Sequence, residues 1–174
     1  MKPIFLIGYM ASGKTTFGKA LSEKTGKKFI DLDEFIENSM GCSISEIFQK
    51  QGEEGFRKIE KEKLIEIADT EDAIIACGGG TPCFFDNMDL INHSGVTVFL
   101  KASVPVLVQR LVNENSKRPL VSGKTPEEIA TLIKKQLRIR ESFYSRAQIT
   151  WNSDSLDTTE EIKSNIDNFI KNNF

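Results

Sequence analysis

Eight consecutive residues near the start of the sequence, Gly8 to Thr15, follow the pattern Gly-x-x-x-x-Gly-Lys-Thr. The glycines let the backbone curl until successive N–H groups converge on phosphate oxygens, the Lys14 ammonium reaches the outer phosphates, and the Thr15 hydroxyl is a ligand for Mg²⁺. A strand-like apolar run precedes the pattern and an amphipathic stretch follows it, so a helix beginning here would direct its positive end at the same anion. The pattern therefore predicts a nucleotide site, contacted by Ala11, Ser12, Gly13, Lys14, Thr15 and Thr16.

Two carboxylates, Asp31 and Asp33, lie at the end of the second apolar run. Residues two apart share one face of a strand, and the carboxyl end of a sheet strand faces the ligand crevice, so we expect both side chains to point into it. One carboxylate could then hold the Mg²⁺ shell through water while the other approaches an acceptor hydroxyl. A solvated turn at the strand end, or a helix cap by Asp33, would account for the same spacing.

The third apolar run ends in Gly78-Gly79-Gly80, where many phosphate-loop proteins have an acidic residue for Mg²⁺. These glycines would open backbone N–H groups to a ligand, and a tight turn before Thr81 is the alternative. The sequence has no Asn-Lys-x-Asp motif for guanine, which argues against a GTPase switch. A phosphate loop with a carboxylate aimed at a second substrate favours phosphoryl transfer to an alcohol.

Two arginines are predicted to face inward. Arg140 falls on the apolar stripe of a helix predicted over residues 127–147, and a buried charge needs a partner, which is either a structural carboxylate or a ligand. Arg57 and Glu60 are three residues apart on another predicted helix. They form either a surface ion pair or a fork, oriented by the glutamate, for a carboxylate or hydroxyl of a substrate.

Two further arginines are predicted on the nucleotide side. Residues 113–125 are polar and interrupt the helical pattern, which predicts a lid whose Arg118 closes over the transferring phosphate. Arg110, on the helix before this segment, is either a solvated helix arginine or a support for the adenine ring.

The pattern of apolar residues indicates the scaffold that positions these groups. Short apolar runs alternate with longer amphipathic stretches, as in a parallel sheet with crossover helices. Capping-box patterns at Ser43, Thr125 and Thr158 predict helix starts. No repeat or linker divides the 174 residues, so we expect one α/β domain. The expected strands are Ile4–Ile7, Phe29–Leu32, Ala73–Ala76, Val96–Leu100 and Gln148–Trp151.

The composition of the chain indicates which partners and which cellular compartment to expect. Hydrophobic residues make up 39% and charged residues 28% of the chain, as in ordinary globular enzymes, and a formal net charge of −2 gives no basic excess for nucleic acid. Three cysteines are too few for a disulfide framework and fit a reducing compartment. The first apolar run is too short to span a membrane and has no signal-peptide cleavage pattern. We expect a cytoplasmic protein with neither a membrane nor a nucleic-acid partner.

In order and spacing, these motifs resemble the shikimate kinase family along nearly the whole chain. The resemblance implies a three-layer P-loop NTPase fold of the α/β class, with a five-stranded parallel sheet flanked by helices in one domain, residues 1–174. It also implies a substrate-binding insertion of about residues 33–61 and a lid of about residues 113–125. The motifs that carry it are Gly8–Thr15, Asp31-x-Asp33, the Gly-Glu-x-Gly-Phe-Arg-x-x-Glu segment that contains Arg57, Gly78-Gly79-Gly80, Arg118-Pro119-Leu120 and Arg140-x-x-x-Tyr144.

The resemblance implies Mg²⁺-dependent transfer of the ATP γ-phosphate to the 3-hydroxyl of shikimate, on the route to chorismate and the aromatic amino acids. One Mg²⁺ ion would be bound by Thr15, with Asp31 supporting it through water. The resemblance further implies a monomer. The implied catalytic residues are Lys14, Asp33 and Arg118, with Arg110, Arg118 and Ser155 joining the phosphate loop in ATP binding. The implied substrate site is Asp33, Arg57, Gly78, Gly79, Gly80 and Arg140, in which the two arginines clamp the carboxylate.

Two departures from the family pattern bear on the site. The late helix has Glu141-Ser142-Phe143 between Arg140 and Tyr144, where the family commonly has x-Pro-Leu, and residues 152–155 lack the basic residue that some members place near adenine. Another small-metabolite kinase, such as a gluconate kinase, is the alternative among enzymes. A non-catalytic, nucleotide-dependent switch is the alternative from another class.

Overall fold

Five parallel strands form one sheet in the part of the chain that the computed structural model describes, residues 1–113 and 121–173. Their order is β2-β3-β1-β4-β5, which places the first strand of the sequence in the middle of the sheet. All four residues of this middle strand are buried, because helices cover both faces of a parallel sheet. The strands are β1 (Ile4–Ile7), β2 (Lys28–Asp31), β3 (Ala73–Ala76), β4 (Val96–Lys101) and β5 (Ile149–Asn152).

Helices pack on the two faces of this sheet and complete a three-layer α/β architecture. On one face, Leu6 of β1 packs in a cluster with Phe17 and Phe169; on the other, Phe5 and Ile7 join a larger cluster. In the described residues the helices are α1 (Lys14–Thr25), α2 (Leu32–Met40), α3 (Ile44–Ala68), α4 (Asn87–Ser94), α5 (Val104–Asn113), α6 (Pro126–Tyr144) and α7 (Thr159–Asn173), with a short 3₁₀ helix at Thr81–Cys83.

The predicted fold class and parallel five-stranded sheet are confirmed. Each observed strand lies within one residue of its predicted bounds at either end. The capping boxes at Ser43 and Thr125 are formed, and at Thr158 the backbone and side chain exchange hydrogen bonds with Glu161 in the same way. The predicted helix over residues 127–147 is α6, which begins one residue earlier and ends at Tyr144. Local sequence signals therefore placed the elements well.

Helices α2 and α3 fill the connection between β2 and β3. Gly52 interrupts α3 with φ 68° and ψ −174°, a backbone conformation that a residue with a Cβ adopts only with strain. The part of α3 that follows this kink carries the predicted substrate residue Arg57. The substrate-binding insertion predicted for about residues 33–61 would comprise α2 and α3 as far as the turn after Arg57.

The predicted lid of about residues 113–125 falls mostly on residues 114–120, which lie outside the described part of the chain, and Arg118 lies there with them. Among the helices in residues 1–113 and 121–173, none has the length and apolar character needed to cross a membrane.

Candidate active site

A cleft of about 360 Å³ opens at the carboxyl ends of the strands. Such crevices at the carboxyl edge of an open parallel sheet are the usual ligand sites of α/β proteins. The functional groups that line it come from separate parts of the chain: the phosphate loop, the β2–α2 junction, the segment after β3, and α5. They include Lys14, Thr15, Asp31, Asp33, Gly79 and Arg110.

The phosphate loop connects β1 to α1 at the floor of this cleft. Gly8 has φ 147°, and a Cβ there would lie only 2.6 Å from the carbonyl oxygen of Leu100, so glycine is required. The Lys14 ammonium donates to the carbonyl oxygens of Gly8 and Tyr9, both at 2.9 Å. The lysine is therefore held across the mouth of the loop, where the first-turn amides of α1 lack helical acceptors and can bind an anion.

Not every predicted loop contact faces the cleft. The Ser12 side chain is buried, and its backbone N–H donates to the Tyr9 carbonyl oxygen at 3.1 Å. Ala11, Gly13, Thr15 and Thr16 do line the cleft. The loop as a whole has the predicted form, with Ser12 serving its internal packing.

Asp31 joins the phosphate loop to α2. One carboxylate oxygen accepts the Thr15 hydroxyl at 3.1 Å, and the other accepts the backbone N–H groups of Asp33 and Glu34 as the cap of α2. The expectation that Asp31 and Asp33 share a strand face is wrong, because β2 ends at Asp31 and Asp33 lies in the first turn of α2. Both residues nevertheless line the cleft, since the chain turns into the helix at its edge.

The pair formed by Thr15 and Asp31 fits the metal that a nucleotide site requires. A hydroxyl and a carboxylate are hard oxygen donors, which Mg²⁺ prefers, and the ion usually binds one or two carboxylates together with phosphates and water. The contact between the two oxygens shows that both already face the same point beside the phosphate loop.

The Asp33 carboxyl has a perturbed pKa. Burial among the surrounding elements is the largest cause, the carboxylates of Asp31 and Glu60 add to it, and together they raise the pKa of Asp33 to about 6. Lys14 and Arg57 act in the opposite direction. The residue still meets solvent in the open cleft, so protein surrounds the carboxyl without sealing it. A group that titrates near neutral pH is suited to take a proton from a hydroxyl.

Arg57 is fixed by a buried carboxylate. Its Nη1 donates to Glu60 Oε2 at 2.7 Å, and the other oxygen of Glu60, a residue only 1% exposed, accepts the Thr81 hydroxyl at 2.6 Å. The guanidinium also lies 4.0 Å from the ring centroid of Phe84 and 5.0 Å from that of Phe56. The possibility of a solvated surface pair is excluded, because the Arg57 side chain is only 11% exposed.

Arg140 is surrounded by tyrosines. Its guanidinium lies 5.5 Å from the centroid of the Tyr9 ring, and its charge acts on the Tyr144 hydroxyl. Among residues 1–113 and 121–173, no carboxylate forms an ion pair with it. Of the two partners considered for this arginine, the structural carboxylate is not found within the described chain.

The three glycines after β3 lie where these groups meet. A Cβ at Gly78 would lie 3.0 Å from Asp33 Oδ1, a Cβ at Gly79 would lie 3.6 Å from Arg140 Nη1, and a Cβ at Gly80 would lie 2.6 Å from Arg57 Nη2. The predicted carboxylate and both predicted arginines therefore converge on one short backbone segment. Gly79 also approaches the phosphate loop, since its Cβ would lie 3.3 Å from the Met10 nitrogen.

Arg110 forms hydrogen bonds to several segments that line the cleft. Its Nε donates to Asp157 at 2.8 Å, Nη2 donates to the carbonyl oxygens of Ser153 and Asp154 at 3.0 Å, and Nη1 donates to Ala11 O at 3.4 Å. A solvated helix arginine would have none of these bonds.

The predicted ATP contact Ser155 is exposed and does not line the cleft, whereas its neighbours Leu156 and Asp157 do.

Sequence reasoning assigned no site role to several residues that build the site, although Tyr144 belonged to one of the family motifs: Tyr9, Thr81, Phe84, Tyr144 and Asp157. Only Tyr144 had a usable signal, because it lies four residues after Arg140 and so shares a helix face with it. The others reach the site through contacts between distant segments.

The fold and the site define a class of protein. The chain has a strand, a phosphate loop and a helix at the carboxyl edge of a five-stranded parallel sheet, near a carboxylate and two partly buried arginines. It is therefore a P-loop protein of the small-molecule kinase type.

Comparison with known proteins names the family. A model of the shikimate kinase family matches residues 10–171. A shikimate kinase from Parabacteroides distasonis is 46% identical over 162 residues, covering 93% of this chain and 94% of that one. A crystal structure of shikimate kinase from Bacteroides thetaiotaomicron, 41% identical, superposes with a TM-score of 0.94 over 98% of this chain and 97% of its own. The chain belongs to the shikimate kinase family, as the motifs had predicted.

A second solved structure adds the ligand seen in a relative. Shikimate kinase from Acinetobacter baumannii in complex with shikimate is 30% identical, with a TM-score of 0.84 over 98% of this chain and 92% of its own.

Proposed function

We propose that this protein transfers the γ-phosphate of ATP to the 3-hydroxyl of shikimate and yields shikimate 3-phosphate and ADP. The observation that carries the proposal is the convergence of Asp33, Arg57 and Arg140 on the three glycines opposite the phosphate loop. Family membership and the shikimate complex of a relative support the same acceptor.

The acceptor binds beside the glycines, where Arg57 and Arg140 approach them. Arg57 and Arg140 supply two planar guanidinium groups, which suit a carboxylate better than a point charge does. The enclosure of Arg57 by Glu60 and the aromatic rings restricts its rotamers, so little side-chain entropy is lost when the substrate binds. A carboxylate bound here leaves the ring hydroxyls of the substrate beside Asp33.

Phosphoryl transfer then depends mainly on positioning and charge. Asp33, when ionised, accepts the proton of the attacking hydroxyl as the new P–O bond forms and the bond from the γ-phosphorus to the bridging oxygen breaks, releasing ADP. Lys14 and the amides of the phosphate loop balance the charge on the phosphates. One Mg²⁺ ion, held by Thr15 and by Asp31 through water, would supply further charge neutralisation. We infer that Arg118 adds a cation from the lid and that Arg110 supports the adenine.

The decisive experiment measures ADP release from the purified chain with ATP, Mg²⁺ and either shikimate or gluconate. We expect turnover with shikimate, a product identified as shikimate 3-phosphate by mass spectrometry, and loss of turnover in Asp33→Asn. Turnover with gluconate alone would assign the arginines to a linear sugar acid. ATP binding without turnover of either acceptor would instead indicate a nucleotide-dependent switch.

Assembly and metal stoichiometry belong to the same proposal. We expect a monomer, which light scattering coupled to gel filtration tests directly, and one Mg²⁺ ion per nucleotide site, which metal titration in the presence of ADP tests.

A further inference from the structure

The side chain of Tyr144 is buried between the two parts of the acceptor site. The residue is 0% exposed, and its ring lies 5.0 Å from that of Phe99, with 31° between their planes. Its hydroxyl donates to the carbonyl oxygen of Gly79 at 2.5 Å, and the charge of the Arg140 guanidinium acts on the same hydroxyl. One hydroxyl of α6, the helix that carries Arg140, is therefore bonded to the glycine segment after β3.

The bond to the Gly79 carbonyl also orients the N–H group of the same peptide. The Gly79 carbonyl and the Gly80 N–H belong to one planar trans peptide and point in opposite directions, so anchoring the first orients the second. Glycine residues have no Cβ to limit their backbone rotation, which makes an external anchor effective here. Within residues 1–113 and 121–173, the N–H groups of Gly79 and Gly80 have no hydrogen-bond acceptor. Gly79 lines the cleft, where a ligand can reach it, whereas Gly80 is buried.

We propose that Tyr144 is a positioning residue for the acceptor, which holds the Gly79 backbone beside the Arg140 guanidinium in the geometry that binds the substrate. This inference rests on the proposed function. Burial raises the pKa of the Tyr144 hydroxyl above its ordinary value, so the group stays protonated and remains a donor at working pH.

Other residues could not replace this link. Tyr9 packs its ring against Arg140, but its hydroxyl donates to Gln136 at 2.7 Å and so points along α6 and away from the glycines. Arg140 itself reaches Gly79 only at van der Waals distance, with 3.6 Å to a Cβ placed there. The Tyr144 hydroxyl is the group on α6 that bonds to the glycine segment.

The test is Tyr144→Phe, which keeps the ring against Phe99 and removes only the hydroxyl. We expect KM for shikimate to rise about tenfold, as for the loss of a buried hydrogen bond, while KM for ATP stays within about twofold. The control is Ser142→Ala, which removes a hydroxyl from the same turn of α6 that donates only to Ile139 O at 3.2 Å, and should leave both constants unchanged.

The outcomes separate the two proposals. If the unmodified chain phosphorylates shikimate and Tyr144→Phe has the same KM for shikimate, the positioning role is refuted and the function stands. If KM for ATP rises equally, the tyrosine serves general packing and the role is again refuted. If the unmodified chain does not phosphorylate shikimate, both proposals fall together.

A second measurement works even if the variant does not fold. The chain has two tyrosines, so 3-fluorotyrosine labelling gives two ¹⁹F signals, and labelled Tyr9→Phe retains only that of Tyr144. Shikimate added without nucleotide should shift the Tyr144 signal. The dissociation constant from that titration should equal the one measured by calorimetry. An unshifted signal at saturation would refute the link between this hydroxyl and the acceptor.

Discussion

Replacement of Glu60 by glutamine tests how much of the site depends on one buried carboxylate. Glu60 is 1% exposed and accepts hydrogen bonds from Arg57 at 2.7 Å and from Thr81 at 2.6 Å. Glutamine keeps the shape and one acceptor oxygen, but it removes the negative charge and places an amide donor toward Arg57 or Thr81. Among the described residues, the ion-pair partner left to the guanidinium is then Glu53, at 3.5 Å and 62% exposed.

The size of the effect follows from the burial of both partners. A hydrogen bond between charged groups contributes about 2 kcal/mol when buried, and leaving Arg57 enclosed without it adds to the loss. For a chain of this length, about 2 kcal/mol corresponds to a fall in Tm of about 4–8 °C. Since Arg57 also loses its orientation, we expect KM for shikimate to rise about tenfold or more while KM for ATP changes little.

The assay combines thermal unfolding by circular dichroism with steady-state kinetics in both substrates. Glu54→Gln is the control, because Glu54 pairs with Lys58 on the exposed side of the same helix and its loss should leave both Tm and KM almost unchanged. A Glu60→Gln protein with the Tm and the shikimate KM of the unmodified chain would refute the reasoning, since the buried pair would then have no measurable effect.

Three further outcomes follow from other contacts. Asp33 must be ionised to accept a proton, and its pKa is about 6. The value of kcat/KM for shikimate should therefore fall about tenfold per pH unit below pH 6 and be level above it. A fall that begins only near pH 4 would contradict this. Phe84→Leu removes the ring 4.0 Å from Arg57 and should raise KM for shikimate about threefold to tenfold; an unchanged KM would exclude a cation–π role. Asp157→Asn weakens the anchor of Arg110 and should raise KM for ATP a few-fold while sparing shikimate, and equal effects on both substrates would contradict that assignment.

Features set by neighbouring residues were predictable from the sequence. The phosphate loop, the apolar strands and the capping boxes depend on spacings within a few residues, and each is found where its pattern indicated. The site residues from the loop and from the β2–α2 junction followed, because the carboxyl ends of parallel strands meet at one edge of the sheet.

Features that depend on an exact boundary or on distant contacts were not predictable. Asp33 was expected to share a strand face with Asp31 because the two residues are two apart. The carboxylate of Asp31 instead caps α2, which begins at Leu32, the last residue of the predicted strand. The bond from Thr81 to Glu60 and that from Tyr144 to Gly79 join residues far apart in sequence, and no local pattern encodes such pairs. The surroundings of the arginines therefore required the structure.

The position of β1 at the centre of the sheet determines when the protein can acquire its activity during synthesis. Ile4 pairs with Ile74 on one side and with Val96 on the other. β1, which is synthesised first, therefore has no strand on either side until β3 and β4 have been synthesised. The phosphate loop also depends on β4, because Gly8 packs against the carbonyl of Leu100 in that strand. A nascent chain that ends before β4 cannot form the nucleotide site, and the non-local pairing makes assembly of the sheet slow compared with helix formation. Nucleotide binding thus reports that the whole central sheet has folded.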